Sequence, residues 1–271
     1  MNDNGYFPGQ TGFVAAADAH MRRAATIILL RDGADGVEVF MMERAQRMDF
    51  GGLNVFPGGK VDADDAVGAM ARHCVGLDDA EASRQLGLPA GGLAFWVAAV
   101  RECLEESGML LAYGPDGAML RARAPRWATG LRALRDELNA GTRSFLEVCA
   151  ALEMRLAVDR VHYFSHWITP EGPPRRYDTR FFVAAAPREQ EGLHDESELV
   201  DSRWVRPAAA LAAFQQGTFN LIYPTHQTLR ALAEFDSAAA VLDAVSRRAH
   251  LPLVTPDELL AREGLQRPVG I

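Results

Sequence analysis

Hydrophobic residues along the chain follow two spacings, one typical of strands and one typical of helices. Short apolar runs that end at glycine, proline or aspartate predict strands, and these cover residues 24–31, 37–43, 50–56, 160–168, 178–186 and 199–206. Apolar positions at intervals of three and four residues predict helices over 95–107, over 126–156 in two pieces broken near residue 141, and through most of the chain after residue 207. Residues 64–88 are predicted to form two short polar helices.

Glycines mark the ends of several of these elements. A turn over residues 32–36, DGADG, joins the first two strands and predicts a hairpin. The third strand stops at Pro57-Gly58-Gly59, a tight glycine turn that lets the backbone approach a metal or a phosphate. Gly108 ends the 95–107 helix as a C-cap.

The mixture of strands and helices favours an α/β (α+β) sandwich around one sheet. We expect a domain over residues 20–210 and a helical C-terminal extension over 211–271 that packs on it. The length of 271 residues is ample for a buried core.

Composition narrows the classes of partner. The net charge of −8, with one lysine in the whole chain, gives no basic field to gather nucleic acid. No apolar run approaches the roughly 18 residues of a membrane span. Three widely spaced cysteines fit neither a disulfide framework nor a zinc cluster, and they predict reduced thiols in a cytoplasmic protein.

Three glutamates carry the most informative pattern in the chain. Glu102, Glu105 and Glu106 stand at i, i+3 and i+4, so a helix places them on one narrow stripe. Like charges on one stripe repel each other, and a cation between them relieves that repulsion. Oxygen ligands of this kind suit Mg²⁺ or Mn²⁺. A plain solvated acidic face would show the same spacing.

The residues around this stripe resemble a known family. Residues 101–109, RECLEESGM, match the second half of the Nudix box, and residues 56–60, FPGGK, match the glycine turn that opens that box. The box is split here, because Arg101 follows Gly59 by 42 positions and about 28 residues are inserted, at about 62–90. Asp65 then stands at the spacing of the box's first glutamate. If the box were not split, Gly87 would stand at its opening glycine and Leu93 at its first glutamate.

Such a split box resembles the branch that contains the peroxisomal coenzyme A and acyl-coenzyme A diphosphatases. Similarity also extends to residues 174–184, 202–211 and 220–232, so it covers about residues 20–235. The resemblance implies a Nudix-type α/β/α sandwich with a mixed sheet. It also implies metal-dependent hydrolysis of a diphosphate bond in a nucleotide-like substrate, with coenzyme A or acyl-coenzyme A as the leading expectation.

By this resemblance, Glu105 and Glu106 are the main metal ligands, Glu102 shares a second ion, and the Gly58 carbonyl completes the ligand shell. Arg101 would hold the carboxylates in position, although a simple i, i+4 pair with Glu105 is an equal alternative. The family also uses an acidic residue from a later loop as ligand or base.

Further site residues come from the predicted loops and strand ends. Among the acids of residues 194–201, Glu196 is preferred over Glu198 for the later-loop role. Candidates for substrate binding are the cations and the aromatic residue near the strand ends that frame the glycine turn: Arg44, Arg47, Arg176, Tyr177 and Arg180. Arginines at these positions would form bidentate hydrogen bonds with phosphate oxygens.

Two other functions stay open at this point. The same chemistry would serve ADP-ribose or another nucleoside diphosphate derivative. A Nudix-fold module that binds nucleotides without catalysis is a second alternative, which the complete glutamate stripe disfavours. The expected partner is a small-molecule nucleotide diphosphate, and a homodimer is open besides a monomer.

Overall fold

The fold is seen in a computed structural model, which describes residues 21–44, 52–120, 125–169, 175–187, 190 and 199–247. Within these residues, nine strands follow in chain order: β1 Met21–Gly33, β2 Gly36–Arg44, β3 Asn54–Val55, β4 Gly58–Lys60, β5 Ala112–Tyr113, β6 Arg155–Leu156, β7 His162–Ile168, β8 Arg176–Ala185 and β9 Leu199–Val205. The same residues contain seven α-helices: α1 Asp79–Leu86, α2 Leu93–Glu102, α3 Pro125–Asn139, α4 Phe145–Ala151, α5 Pro207–Gln215, α6 Tyr223–Leu232 and α7 Ala238–Ser246.

In the part of the chain that the structure describes, the central sheet contains seven strands and is mixed. β8 runs parallel to β1, whereas the other strand pairs of this sheet are antiparallel. β1 and β2 form the predicted hairpin, with Gly33 opposite Gly36. Beyond Val39 the two strands separate, and β3 and β4 occupy the gap, β3 paired with β2 and β4 with β1. This gap holds the glycine turn.

Helices cover both faces of the sheet. Alternate residues of β1 point to opposite faces, so Ile27 joins the core under α2 while Ile28 joins the core under α6 and α7. The first core also takes in residues of α3 and α4. This confirms the α/β/α sandwich with a mixed sheet. The division into residues 20–210 and 211–271 stays a prediction, although α5, α6 and α7 contribute directly to the second core.

The inserted segment contains less α-helix than the two helices that its pattern predicted over residues 64–88. Two 3₁₀ turns, Ala63–Ala66 and Met70–His73, precede α1. α2 also differs from an amphipathic surface helix, because every residue from Leu93 to Glu102 is buried. Its apolar and small side chains lie between the sheet and the segments around it. No helix in the described part of the chain is both long and apolar enough to span a bilayer.

Candidate active site

The three glutamates lie where α2 widens into a π-helical turn. α2 ends at Glu102, and residues Cys103–Ser107 continue with i→i+5 geometry. The buried Ser107 hydroxyl donates to the Cys103 carbonyl at 2.5 Å. Gly108 then ends the helix with φ of 70°, a left-handed conformation that favours glycine. Single π turns of this kind occur often at functional sites.

The Arg101 side chain contacts several groups of this site at once. Its guanidinium donates to the Glu102 carboxylate at 2.9 Å and to the Glu105 carboxylate at 2.7 Å. It also donates twice to the Asp65 carboxylate, at 2.9 Å each, and to the Lys60 carbonyl at 2.8 Å. The Arg101 side chain is only 7% exposed. Arg101 therefore does more than form an i, i+4 pair, since it joins the glutamate helix to the glycine turn and to the insertion.

The glycine turn reaches the same glutamates through its backbone. The Gly58 N–H donates to the Glu106 carboxylate at 2.8 Å. In the β1–β4 ladder, the Ile27 N–H donates to the Pro57 carbonyl at 2.8 Å, and Gly58 stands opposite Thr26. Ladder bonds alternate along an antiparallel strand. The peptide groups of Gly58 therefore point away from β1 and towards the glutamate helix.

Position 59 requires a glycine because the Glu102 side chain approaches its backbone closely. A Cβ atom at this position would lie 2.4 Å from Oε1 of Glu102. The backbone of the turn therefore lies directly against the Glu102 carboxylate. No larger residue fits there unless that carboxylate moves.

Burial and crowding change the protonation of the glutamates. Burial, together with the charges of Glu106 and Glu105, raises the pKa of Glu102 to about 8, although the Arg101 charge lowers it. Burial also raises the pKa of Glu105 against the effect of Arg101. A cation among these carboxylates would favour their charged forms.

The donor set fits a hard divalent cation, because carboxylate oxygens are crowded beside a backbone that is open on the same side. Within the described ranges, no cluster of three acidic, histidine or cysteine side chains is already arranged around a single point. Glu102 and Glu105 instead turn towards Arg101, and Glu106 turns towards the Gly58 N–H. The three residues nevertheless stand at i, i+3 and i+4, a spacing at which side chains on a helix are neighbours.

A cleft of about 340 Å³ lies next to Glu105 and Arg101. Its walls come from the start of the insertion and from the turn between α3 and α4, and they include Asp62, Asp64, Arg143 and Glu147. The start of the insertion therefore borders the site. The insertion is also part of the first core, since Met70, Ala82 and Leu86 are buried there.

Three side chains of the site were not predicted in their observed roles. Asp65 stands at the spacing of the box's first glutamate, and the sequence assigned no function to it. In the structure its carboxylate accepts two hydrogen bonds from Arg101. Arg135 and Asn139 of α3 donate to the carbonyl of Glu105, and Arg135 also donates to that of Glu106. No local pattern marks Arg135 or Asn139, because their partners are backbone groups far away in the sequence.

The predicted substrate residues separate into different environments. Arg44 ends β2, and Arg176 begins β8 beside Met21, so both lie at the sheet end where β1 and β2 separate. Arg176 donates to the Thr169 carbonyl at 3.1 Å. Tyr177 points to the opposite sheet face from Arg176, because consecutive strand residues alternate. Arg47 and Glu196, like Glu198, lie outside the described residues.

The structure does not support the predicted phosphate contact of Arg180. This residue is 3% exposed, its guanidinium contacts the Asp178 carboxylate, and it lies over the Phe95 ring at 5.5 Å. Asp178 in turn contacts His166 at 2.6 Å. The charge of Arg180 is thus compensated inside the sheet–helix layer, where a strand pattern alone could not place it.

The three cysteines are free thiols, and Cys103 and Cys149 are buried. Burial raises the pKa of each of the three thiols to about 12, so they are protonated at neutral pH. They therefore act as apolar packing groups.

Comparison with known proteins agrees with this geometry. A relative from Homo sapiens, acyl-coenzyme A diphosphatase NUDT19, is 30% identical over 234 residues, which are 75% of this chain and 62% of that protein. Its counterpart from Gallus gallus is 28% identical over 264 residues, 80% of this chain and 69% of that protein. The chain thus spans less than two thirds of the human relative's length.

A solved structure has the same fold. The crystal structure of a Nudix hydrolase from Alicyclobacillus acidocaldarius superposes with a TM-score of 0.66, at 27% sequence identity, and covers 86% of this chain and 98% of its own. Residues 69–232 match the family model described as the NUDT19 Nudix domain. That match includes the glutamate helix and begins after the glycine turn, which the structure joins to it through Gly58 and Glu106. Because the match covers more than half of the chain, the protein belongs to the NUDT19 Nudix domain family.

Proposed function

We propose that this protein is a metal-dependent diphosphatase that hydrolyses coenzyme A or acyl-coenzyme A. The observation that carries the proposal is the assembly of Glu102, Glu105 and Glu106 against the glycine turn, with Arg101 holding the parts together. The relatives named acyl-coenzyme A diphosphatase support the choice of substrate. The products would be a phosphopantetheine-type compound and an adenosine bisphosphate.

The metal is Mg²⁺ or Mn²⁺ in this proposal, in keeping with the general use of divalent ions by Nudix hydrolases. Bound to the site, such an ion would neutralise the diphosphate charge and lower the pKa of an attacking water. Glu105 and Glu106 would be its main ligands, with Glu102 sharing a second ion. The Gly58 carbonyl is available as a further ligand, since its peptide group faces the glutamates. Arg101 would keep the Glu102 and Glu105 carboxylates in place through its hydrogen bonds to them.

A general base is also needed. Glu196 is our candidate, on the family resemblance, and its position lies outside the described residues. A cytoplasmic location and a homodimer likewise stay predictions.

Recognition of the 3′-phosphate of coenzyme A requires a cation, and Arg44 is the best candidate among the described arginines. The buried Nε atoms of Arg44 and Arg180 both lack a hydrogen-bond partner, but the guanidinium of Arg180 already contacts the Asp178 carboxylate. A buried donor of this kind costs free energy unless a ligand satisfies it. Arg44 also ends β2, which bounds the gap that holds the glycine turn. Arg47, Arg176 and Tyr177 remain secondary candidates.

The test is a panel of diphosphates with Mg²⁺ or Mn²⁺, in which kcat/KM is measured for coenzyme A, its 3′-dephospho form and ADP-ribose. A charge-assisted phosphate contact is worth roughly 1.5–3 kcal/mol, so coenzyme A should be preferred over the dephospho form by about tenfold to a hundredfold. Arg44→Gln should shrink this preference. Arg31→Gln is the matched control, because Arg31 lies near the hairpin end of the same sheet and pairs with Glu38.

Three results would change the assignment. Indifference to the 3′-phosphate with faster cleavage of ADP-ribose would make the protein an ADP-ribose pyrophosphatase. Binding of these compounds without hydrolysis would make it a nucleotide-binding module. A preference that is unchanged in Arg44→Gln would remove Arg44 from the 3′-phosphate site.

A further inference from the structure

The end of the glutamate helix has backbone carbonyls that its own helix does not satisfy. The last carbonyl groups of any helix lack intrahelical partners. Here the Gly108 N–H donates to the Leu104 carbonyl at 3.0 Å, and the Met109 N–H donates to the Ser107 hydroxyl. The Leu110 N–H donates to the side chain of Gln190. The amides that follow the helix are thus already used, and none of these bonds serves Glu105 or Glu106.

A neighbouring helix supplies the missing donors. Arg135 of α3 donates to the Glu105 carbonyl from Nε at 3.0 Å and from Nη2 at 2.9 Å, and Nη2 also donates to the Glu106 carbonyl at 3.1 Å. One turn later, the Asn139 amide donates to the Glu105 carbonyl at 3.3 Å. The positive charge of Arg135 also suits the negative end of the helix dipole.

We propose that Arg135 is a positioning residue for the metal-binding carboxylates, and this inference rests on the proposed function. Arg135 contacts the backbone from which Glu105 and Glu106 project. The π turn is a rare departure from the α-helix, and the carbonyls of Glu105 and Glu106 near its end need an external partner to keep one orientation. Without Arg135, ordering the two carboxylates around an ion would cost more, and metal binding would weaken.

The direct probe is Mn²⁺ alone, titrated into the full-length protein and followed by electron paramagnetic resonance. We expect Arg135→Gln to raise the dissociation constant for Mn²⁺ by about tenfold, the lower end of the effect known for groups that orient metal ligands. Arg135→Lys keeps the charge but loses the two-pronged contact, so it should recover part of that loss. Arg132→Gln is the matched control, because Arg132 is an exposed residue on the same helix, and it should bind Mn²⁺ as the wild type does.

Stability separates a positioning role from a bracing role. A lower melting temperature in Arg135→Gln with an unchanged dissociation constant for Mn²⁺ would overturn the proposal and leave Arg135 as a structural contact. If Arg135→Gln does not fold, Asn139→Ala replaces it, with an expected weakening of Mn²⁺ binding of a few fold; unchanged binding there would overturn the proposal equally. Wild-type protein that binds Mn²⁺ but does not hydrolyse coenzyme A would contradict the proposed function alone.

Discussion

The carboxylate of Asp65 accepts two hydrogen bonds from the guanidinium of Arg101, each 2.9 Å long, across 36 residues of chain. Asp65 belongs to the insertion that splits the Nudix box, and Arg101 belongs to the helix that carries the glutamates. The two halves of the box are therefore joined by a buried ion pair from inside the insertion. This makes the insertion part of the support of the active site.

Replacement of Asp65 by asparagine should destabilise the protein. The change leaves Arg101 buried with one carboxylate fewer, and removing one partner of a buried pair costs about 3 kcal/mol or more. Denaturant unfolding measures the loss, with Asp64→Asn as the control, because Asp64 is exposed in the same turn. Equal unfolding free energies for the two variants would show that the Asp65 contact does not support the fold.

Replacement of Gly59 by alanine should weaken metal binding more than it weakens the fold. The added Cβ would lie 2.4 Å from the end of the Glu102 side chain, which can rotate away at small energetic cost but then leaves its position beside the turn. We expect Mn²⁺ affinity and hydrolysis to fall together, with the melting temperature nearly unchanged. Gly68→Ala is the control, since no atom lies within 4 Å of a Cβ there. Wild-type Mn²⁺ affinity in Gly59→Ala would contradict this placement of Glu102.

Replacement of residues 62–90 by a short linker should reduce hydrolysis of all diphosphate substrates alike. From the sequence alone, we expect this change mainly to alter substrate preference, because the insertion leaves and returns beside the site. The structure revises that expectation, since the deletion removes Asp65 and the core residues Met70 and Leu86. Relative kcat/KM values over the substrate panel, in a variant shown to be folded, decide between the two. A selective loss for coenzyme A would restore the first expectation.

The sequence predicted the parts of the site that depend on local spacing. The glutamate stripe follows from helical periodicity, and the glycine turn follows from a strand that stops at Pro57. The roles of Asp65 and Arg135 depend on contacts between distant segments, and no local pattern encodes such contacts. The environment of Arg180 was not predicted, for a related reason. A strand pattern shows which face a residue points to, but it does not show that Asp178 compensates its charge inside that face.

The central claim is that Glu106 belongs to a metal site that hydrolyses coenzyme A. Glu106→Gln keeps the size of the side chain and an oxygen that can accept from the Gly58 N–H, so the fold should be retained. The decisive measurement is hydrolysis of coenzyme A in limiting Mg²⁺, with mass analysis of the products, and Glu234→Gln at an exposed position serves as the control. We predict that the wild type and the control release phosphopantetheine and adenosine bisphosphate. Glu106→Gln should lose about a hundredfold or more in rate, equivalent to about 3 kcal/mol of transition-state stabilisation. Turnover by Glu106→Gln at the wild-type rate would contradict the account.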